Sequence, residues 1–256
     1  MGPSPLFLTE LRAHSARMTS TVLDPSITLA DLVTQRPGLA RELERRALDY
    51  CCGGQRTLAQ ACAAQGLDVD EIVAALTVAP GGETERWARL GPADLVDHIE
   101  ATHHAYLHQE MARLTALAAK VAGVHGGRHP ELLEVERLYG ELRDDLEPHL
   151  AKEERVLFPM IREYAAVNAA PPFRRSTLAD PIAVLMGEHD RAGELLEQLR
   201  AATAGFVVPA DGCASYTALY VGLEQLEADT HLHVHKENNV LFPAVVALAA
   251  PFPIAG

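Results

Sequence analysis

The motif His-x-x-x-Glu followed by Val-Leu-Phe-Pro is written twice in this chain, as "HLAKEERVLFPM" from His149 and "HVHKENNVLFPAV" from His233, 84 residues apart (233 − 149). Residues four apart lie on one face of an α-helix, one turn above the other, so His149 projects with Glu153 and His233 with Glu237. Leu157 and Leu241 continue the same stripe a further turn along, and such a stripe faces a core. Two imidazoles and two carboxylates are thereby pushed into an interior, which is costly unless they are paired or hold a metal.

Two more segments complete the pattern. "VDHIEATHHAYLHQE" carries His98, His103, His104 and His108, and "MGEHDRAGELL" carries the single histidine His189. Since 189 − 104 = 85 matches the 84-residue repeat, His104 and His189 occupy equivalent places in two halves. Folded about a pseudo-twofold axis, the halves bring His104, His149, His189, His233, Glu153 and Glu237 to one point. That set suits two metal ions, each with two histidines, and with both glutamates between them. Nitrogen and oxygen donors without cysteine point to iron or manganese, and zinc is also admissible. The set differs from the carboxylate-rich ferritin arrangement, in which Glu-x-x-His recurs. One His-x-x-x-Glu alone is ordinarily a solvated i,i+4 pair; two in register, with matching histidines between them, are not surface decoration. His98, His103, His108, His231 and His235 read as outer or exposed residues, and His125 and His129 as loop residues. His231 and His235 rival His233, but only His233 has a glutamate four positions on, and a two-residue step turns a helix by about 200°.

The rest of the chain reads as helix. A first helical segment runs from Thr28, its N-cap, through "LADLVTQRPGLARELERRALDY" to the glycines of "CCGG". Two short capped helices follow, "TLAQACAAQG" and "DVDEIVAAL", and "VAPGGETERW" reads as a linker. Four long helices come next: Pro92 to about Val124, Glu131 to about Val167, Pro181 to Ala204 and Cys213 to Ala249. Pro159 and Pro243, each six residues after a motif glutamate, remove a backbone bond and bend their helices, or begin to end them; Pro148 has no counterpart. The expected fold is all-α: a flexible extension over 1–24, a small helical domain with its linker over 25–85, and a four-helix bundle over 90–250.

Composition removes several classes of function. With 22 basic against 35 acidic residues and a net charge of −13, the chain lacks the clustered basic surface that nucleic acid requires. No apolar run approaches the ~20 residues of a membrane span, and the N-terminus lacks the pattern of a secretory signal. The cytoplasm is the expected compartment, and Met18 is an alternative start. Four cysteines, two of them adjacent, do not form a disulfide framework. Cys51 and Cys52 precede a glycine turn, where a bridge between neighbours would be strained, and Arg56 is the nearest cation. On their own they read as two small buried thiols, and Cys62 and Cys213 as core residues.

With "DYCCGG" and the four histidine segments together, the chain resembles the di-iron proteins that repair iron–sulfur clusters, the RIC, YtfE or ScdA type. The likeness covers about 28–250. "TLADLVTQRPGLARELERRALDYCCGGQRTLAQAC" resembles that family's N-terminal domain, and "HHAYLHQE", "HLAKEERVLFPMI", "EHDRAGELLE" and "HKENNVLFP" resemble its hemerythrin-like bundle. The resemblance implies two iron ions per chain, oxo- or hydroxo-bridged, on the six residues already chosen by spacing, with Glu153 and Glu237 as bridges. It also implies that Cys51 and Cys52 work in thiol chemistry or iron transfer, against the reading made from the residues alone. The expected partners are iron–sulfur proteins damaged by nitrosative or oxidative stress, and small ligands such as nitric oxide or oxygen; a homodimer is left open. The leading expectation is supply of labile iron or handling of nitric oxide at the centre. Beside it stand an oxygen or nitric oxide binding module without turnover, and a redox enzyme acting on nitric oxide or peroxide.

Overall fold

A computed structural model describes residues 23–79, 86–166 and 178–249. The expected extension over 1–24 lies outside these residues except for Leu23, which packs into the N-terminal core, and Asp24. The central part of the expected linker, 80–85, also lies outside them. Among the described residues there is no β-strand, only an isolated bridge between Thr28 and Thr57. Among the same residues no helix is long and apolar enough to cross a membrane.

The N-terminal domain contains α1 (Leu29–Gln35), α2 (Ala40–Glu44), α3 (Leu58–Gln65) and α4 (Val69–Val78). Thr28 caps α1 as expected, accepting from the amide of Asp31. Thr57 and Gln60 form a capping box on α3, and Asp68 caps α4. The first segment is not one helix running to Tyr50. Pro37 drives Arg36 out of the helical region, to φ −137° and ψ 73°, so α1 stops there and a short 3₁₀ turn leads into α2. α2 ends at Glu44, well before the glycines.

Four long helices form the bundle. α5 joins Pro92–Ile99, a π-turn at Glu100–His104 and Ala105–His125; α6 joins Glu131–Lys152, a π-turn at Glu153–Leu157 and Phe158–Ala166. α7 is Ala179–Ala202, and α8 joins Ala214–Lys236, a π-turn at Glu237–Leu241 and Phe242–Ala249. Each helix packs against two neighbours, α5 and α7 both lying between α6 and α8. Pro159 and Pro243 each fall two residues after a π-turn; the missing proline N–H is accommodated by this wider turn, a device often found at functional sites. His125 is not a loop residue: it is the last residue of α5 and is buried.

Two apolar layers divide the bundle. One includes Leu107, Leu146, Ala192 and Leu226; the other includes Ile99, Leu157, Leu185 and Leu241. Along every helix, the histidines and glutamates singled out by spacing fall between these two layers. A fully buried leucine contributes about 1.5–3 kcal/mol, so the layers hold a polar stratum that could not fold by itself.

The N-terminal domain is docked on α8. Val234 is part of its hydrophobic core, with Leu232 packed against it. His235 Nδ1 donates to the Tyr50 carbonyl (3.3 Å), and the Thr34 hydroxyl donates to His235 Nε2 (3.2 Å). Burial pushes this imidazole down to about 4, which keeps it neutral. His235 is therefore a docking residue, neither exposed nor facing the bundle centre. A Cβ on Gly54 would come within 2.5 Å of the Tyr50 carbonyl and 2.9 Å of Asn239 Oδ1, so only glycine allows this approach.

Candidate metal centre

All six residues chosen by spacing meet between the apolar layers, none more than 2% exposed. They form two groups of four that share both glutamates: His104 and His233 with Glu153 and Glu237, and His149 and His189 with the same pair. His104 Nε2 lies 3.2 Å from His233 Nε2, and His149 Nε2 lies 3.1 Å from His189 Nε2. Two nitrogens bound to one metal at about 2.1 Å and at right angles stand about 3.0 Å apart, so each pair has the spacing of ligands to one ion. Glu237 offers Oε1 to His233 (3.0 Å) and Oε2 to His189 (3.2 Å), one oxygen to each group. Glu153 Oε2 lies 3.5 Å from His104 and 3.4 Å from His149.

The residues fit a cation. Both oxygens of Glu153 and Oε2 of Glu237 are buried without a hydrogen-bond partner. Burial alone would raise the Glu237 carboxyl, but His233 and His189 hold it well below the usual range, so it is ionised. Burial pushes the His233 imidazole down, toward the neutral form a metal needs. Two buried carboxylates ringed by imidazoles are otherwise an uncompensated cost.

Outer residues set the imidazoles for this task. His104 Nδ1 donates to Glu154 (3.0 Å), His149 Nδ1 to Glu188 (2.9 Å) and His189 Nδ1 to Asn238 (2.8 Å). A proton on Nδ1 leaves the Nε2 lone pair facing inward, and such partners fix both ring and tautomer. His108 donates to Glu154 (2.7 Å), while Lys152 pairs with Glu188. His103 stacks on His233, with ring centroids 5.4 Å apart. These outer acceptors are missed by a search for ligand spacing. Their signal lies in the repeat itself: Glu154 and Asn238 follow the two motif glutamates, and Lys152 and Lys236 precede them.

The turn that carries Glu237 also holds the cysteine segment. Glu237 faces the centre, Asn238 orients His189, and the Asn239 side-chain amide donates to the Cys51 carbonyl (2.9 Å). Asp49 gathers the hairpin, accepting from the amides of Cys51 (3.0 Å), Cys52 (3.0 Å) and Gly53 (2.7 Å). The two sulfurs are 3.8 Å apart and unbridged. The contact with Cys52, burial, and the Asp49 carboxylate together push the Cys51 thiol well above its ordinary range. Cys51 is a buried neutral thiol. Cys52 is half-buried, and both line a cavity of about 420 Å³ with Asp190, Glu197 and His231.

His231 lies away from the centre, its ring 3.9 Å from Glu44. His233→Ala is therefore expected to cost about half the bound metal, and His231→Ala none, by elemental analysis of the purified variants. The opposite order would mean that the register of α8 is misassigned. Cys62 is buried as expected, but Cys213 is exposed at the N-terminus of α8, with His125 Nε2 at 3.2 Å. Backbone amides of Tyr216 and Ser215 pull its thiol down. Iodoacetamide should accordingly modify Cys213 first, and Cys51 and Cys62 last, in a peptide-mapping time course. Early labelling of Cys51 would show the N-terminal domain leaving α8.

Comparison with known proteins agrees with this geometry. Residues 94–245 match the hemerythrin HHE cation-binding domain, and residues 26–79 match ScdA_N, a domain of unknown function. Proteins called iron–sulfur cluster repair protein YtfE, from Escherichia coli O1:K1 and from Escherichia fergusonii, are each 34% identical over 220 residues, 86% of this chain and 96% of theirs. The chain belongs to the hemerythrin-like family of iron–sulfur cluster repair proteins.

Proposed function

We propose that this protein repairs iron–sulfur clusters damaged by nitrosative or oxidative stress, working in the cytoplasm and supplying iron from two ions stored in the bundle. His104 and His233 would hold one ion, His149 and His189 the other, with Glu153 and Glu237 between them. The ions are the cargo that a damaged cluster lacks. Neutral imidazoles and two carboxylates neutralise less charge than a cage of carboxylates, which favours release. The observation that carries this reading is the run Glu237–Asn238–Asn239, which connects the centre to the Cys51–Cys52 hairpin in three consecutive residues. A storage bundle alone has no use for that connection.

A second reading, binding of nitric oxide or oxygen, has its own support. A cavity of about 10 Å³ beside His149, His189 and His233 has room for one water-sized ligand, and the Thr230 hydroxyl on its wall has no partner. Metal analysis combined with reconstitution of a nitric-oxide-damaged cluster enzyme separates the two. Close to two irons per chain, and client activity recovered in proportion to iron lost by the protein, support repair. Iron that stays put against a chelator while the client remains inactive would leave gas binding as the function.

A further inference from the structure

The repeat extends beyond the ligands, and it is broken at one place. Lys152 corresponds to Lys236 (236 − 152 = 84), Asp145 to Asp229 (229 − 145 = 84), and Glu188 to His103 (188 − 103 = 85). In one half, Lys152 pairs with Glu188, which accepts the Nδ1 proton of His149 (2.9 Å). In the other, Lys236 Nζ lies 2.8 Å from His103 Nε2, and His103 has no carboxylate to offer. It lies flat against His233 instead, with an interplanar angle of 7°.

His233 Nδ1 is consequently buried without a hydrogen-bond partner, the one Nδ1 of the four ligand imidazoles in that state. Asp229 is the nearby carboxylate on α8. One of its oxygens takes the proton of His103 Nδ1 (2.8 Å), and the other makes no bond, to His233 or to anything else. An outer acceptor raises the basicity of a ligand imidazole and fixes its ring, and losing one typically costs 10–100-fold in metal affinity.

We propose that the two halves of the centre bind metal unequally, that the half held by His104 and His233 releases its ion first, and that His103 is the positioning residue that sets the difference. The proposal rests on the two-ion reading above. The test is anaerobic titration of the metal-free full chain with cobalt(II), followed by its visible absorption, with chelator extraction as the kinetic counterpart. Wild type should bind two equivalents whose affinities differ by about tenfold or more. His103→Glu, which restores the Lys–Glu–His arrangement of the other half, should tighten the weaker step by about that factor and leave the tighter one in place. Glu188→Gln should weaken the tighter step and close the gap from the other side, so the idea remains testable if Glu at 103 does not fold. Two equal steps in wild type, or a gap that neither variant narrows, would overturn the asymmetry. So would Asp229→Asn splitting an otherwise equal pair, because Asp229 would then be the acceptor for His233 in the loaded protein. Uptake of a single equivalent would instead remove the two-ion reading itself.

Discussion

Replacing Glu237 by alanine is expected to strip most of the metal from the protein and abolish its oxidised-state absorption. Glu237 gives one oxygen to each group of histidines, so both positions lose a donor together. With two ions bound, the loss would also remove one of the two negative charges that Glu153 and Glu237 would place between them. Removing one partner from a buried charge cluster costs about 3–5 kcal/mol, which corresponds to two or more orders of magnitude in binding. Glu153→Ala should behave similarly, because its carboxylate faces His104 and His149 alike. Glu237→Gln keeps the shape and the carbonyl oxygen, and should retain more metal than alanine. Elemental analysis and the near-ultraviolet spectrum read all three. Full loading with an unchanged spectrum in both alanine variants would show that neither carboxylate lies between ions.

Most of this site was legible because its logic is periodic. The i,i+4 pairs and the 84-residue repeat are set by helix geometry, and the bundle places the six residues where the spacing put them. What could not be read depends on contacts without a period. The π-turns at Glu100–His104, Glu153–Leu157 and Glu237–Leu241 add no recognisable residue; prolines follow only the last two, and in the sequence they read as kinks or helix ends. His235 lies on the face of α8 turned away from His233, and only the docked N-terminal domain explains its burial. Asn239 likewise means nothing until Cys51 is beside it. Pro37 sits inside an otherwise helical pattern, so the sequence reads as one helix to Tyr50 where the backbone at Arg36 ends the first. Cys213 reads as a core residue because the helix it begins has a buried face, although its own position at the N-terminus is exposed.

The double variant Cys51→Ser, Cys52→Ser should keep its iron and its spectrum, yet repair a nitric-oxide-damaged cluster enzyme several-fold less well. No sulfur belongs to either group of metal-binding residues, so metal content has no reason to change. The hairpin should survive the exchange, because Asp49 and Asn239 hold it by backbone amides and a carbonyl, and a serine hydroxyl can take over the bond that the Cys51 thiol donates to Asp49 (3.3 Å). What the variant loses is a soft donor able to take iron from a nitrogen and oxygen site, or to exchange electrons as a thiol. The two cysteines should not contribute equally. Cys51 is a buried thiol held in its neutral form, so its serine variant should lose little. Cys52 is the more exposed of the two, on a wall whose acidic residues favour an approaching cation, so Cys52→Ser should reproduce most of the double variant's defect. The measurement is client activity recovered per iron supplied, compared with wild type and with free ferrous iron. Equal recovery by the double variant would make the pair structural and would shift the function toward gas binding in the bundle. A defect larger for Cys51 than for Cys52 would mean that the hairpin opens before it acts, with Asn239 releasing the Cys51 carbonyl and the Glu237 turn free to move with it.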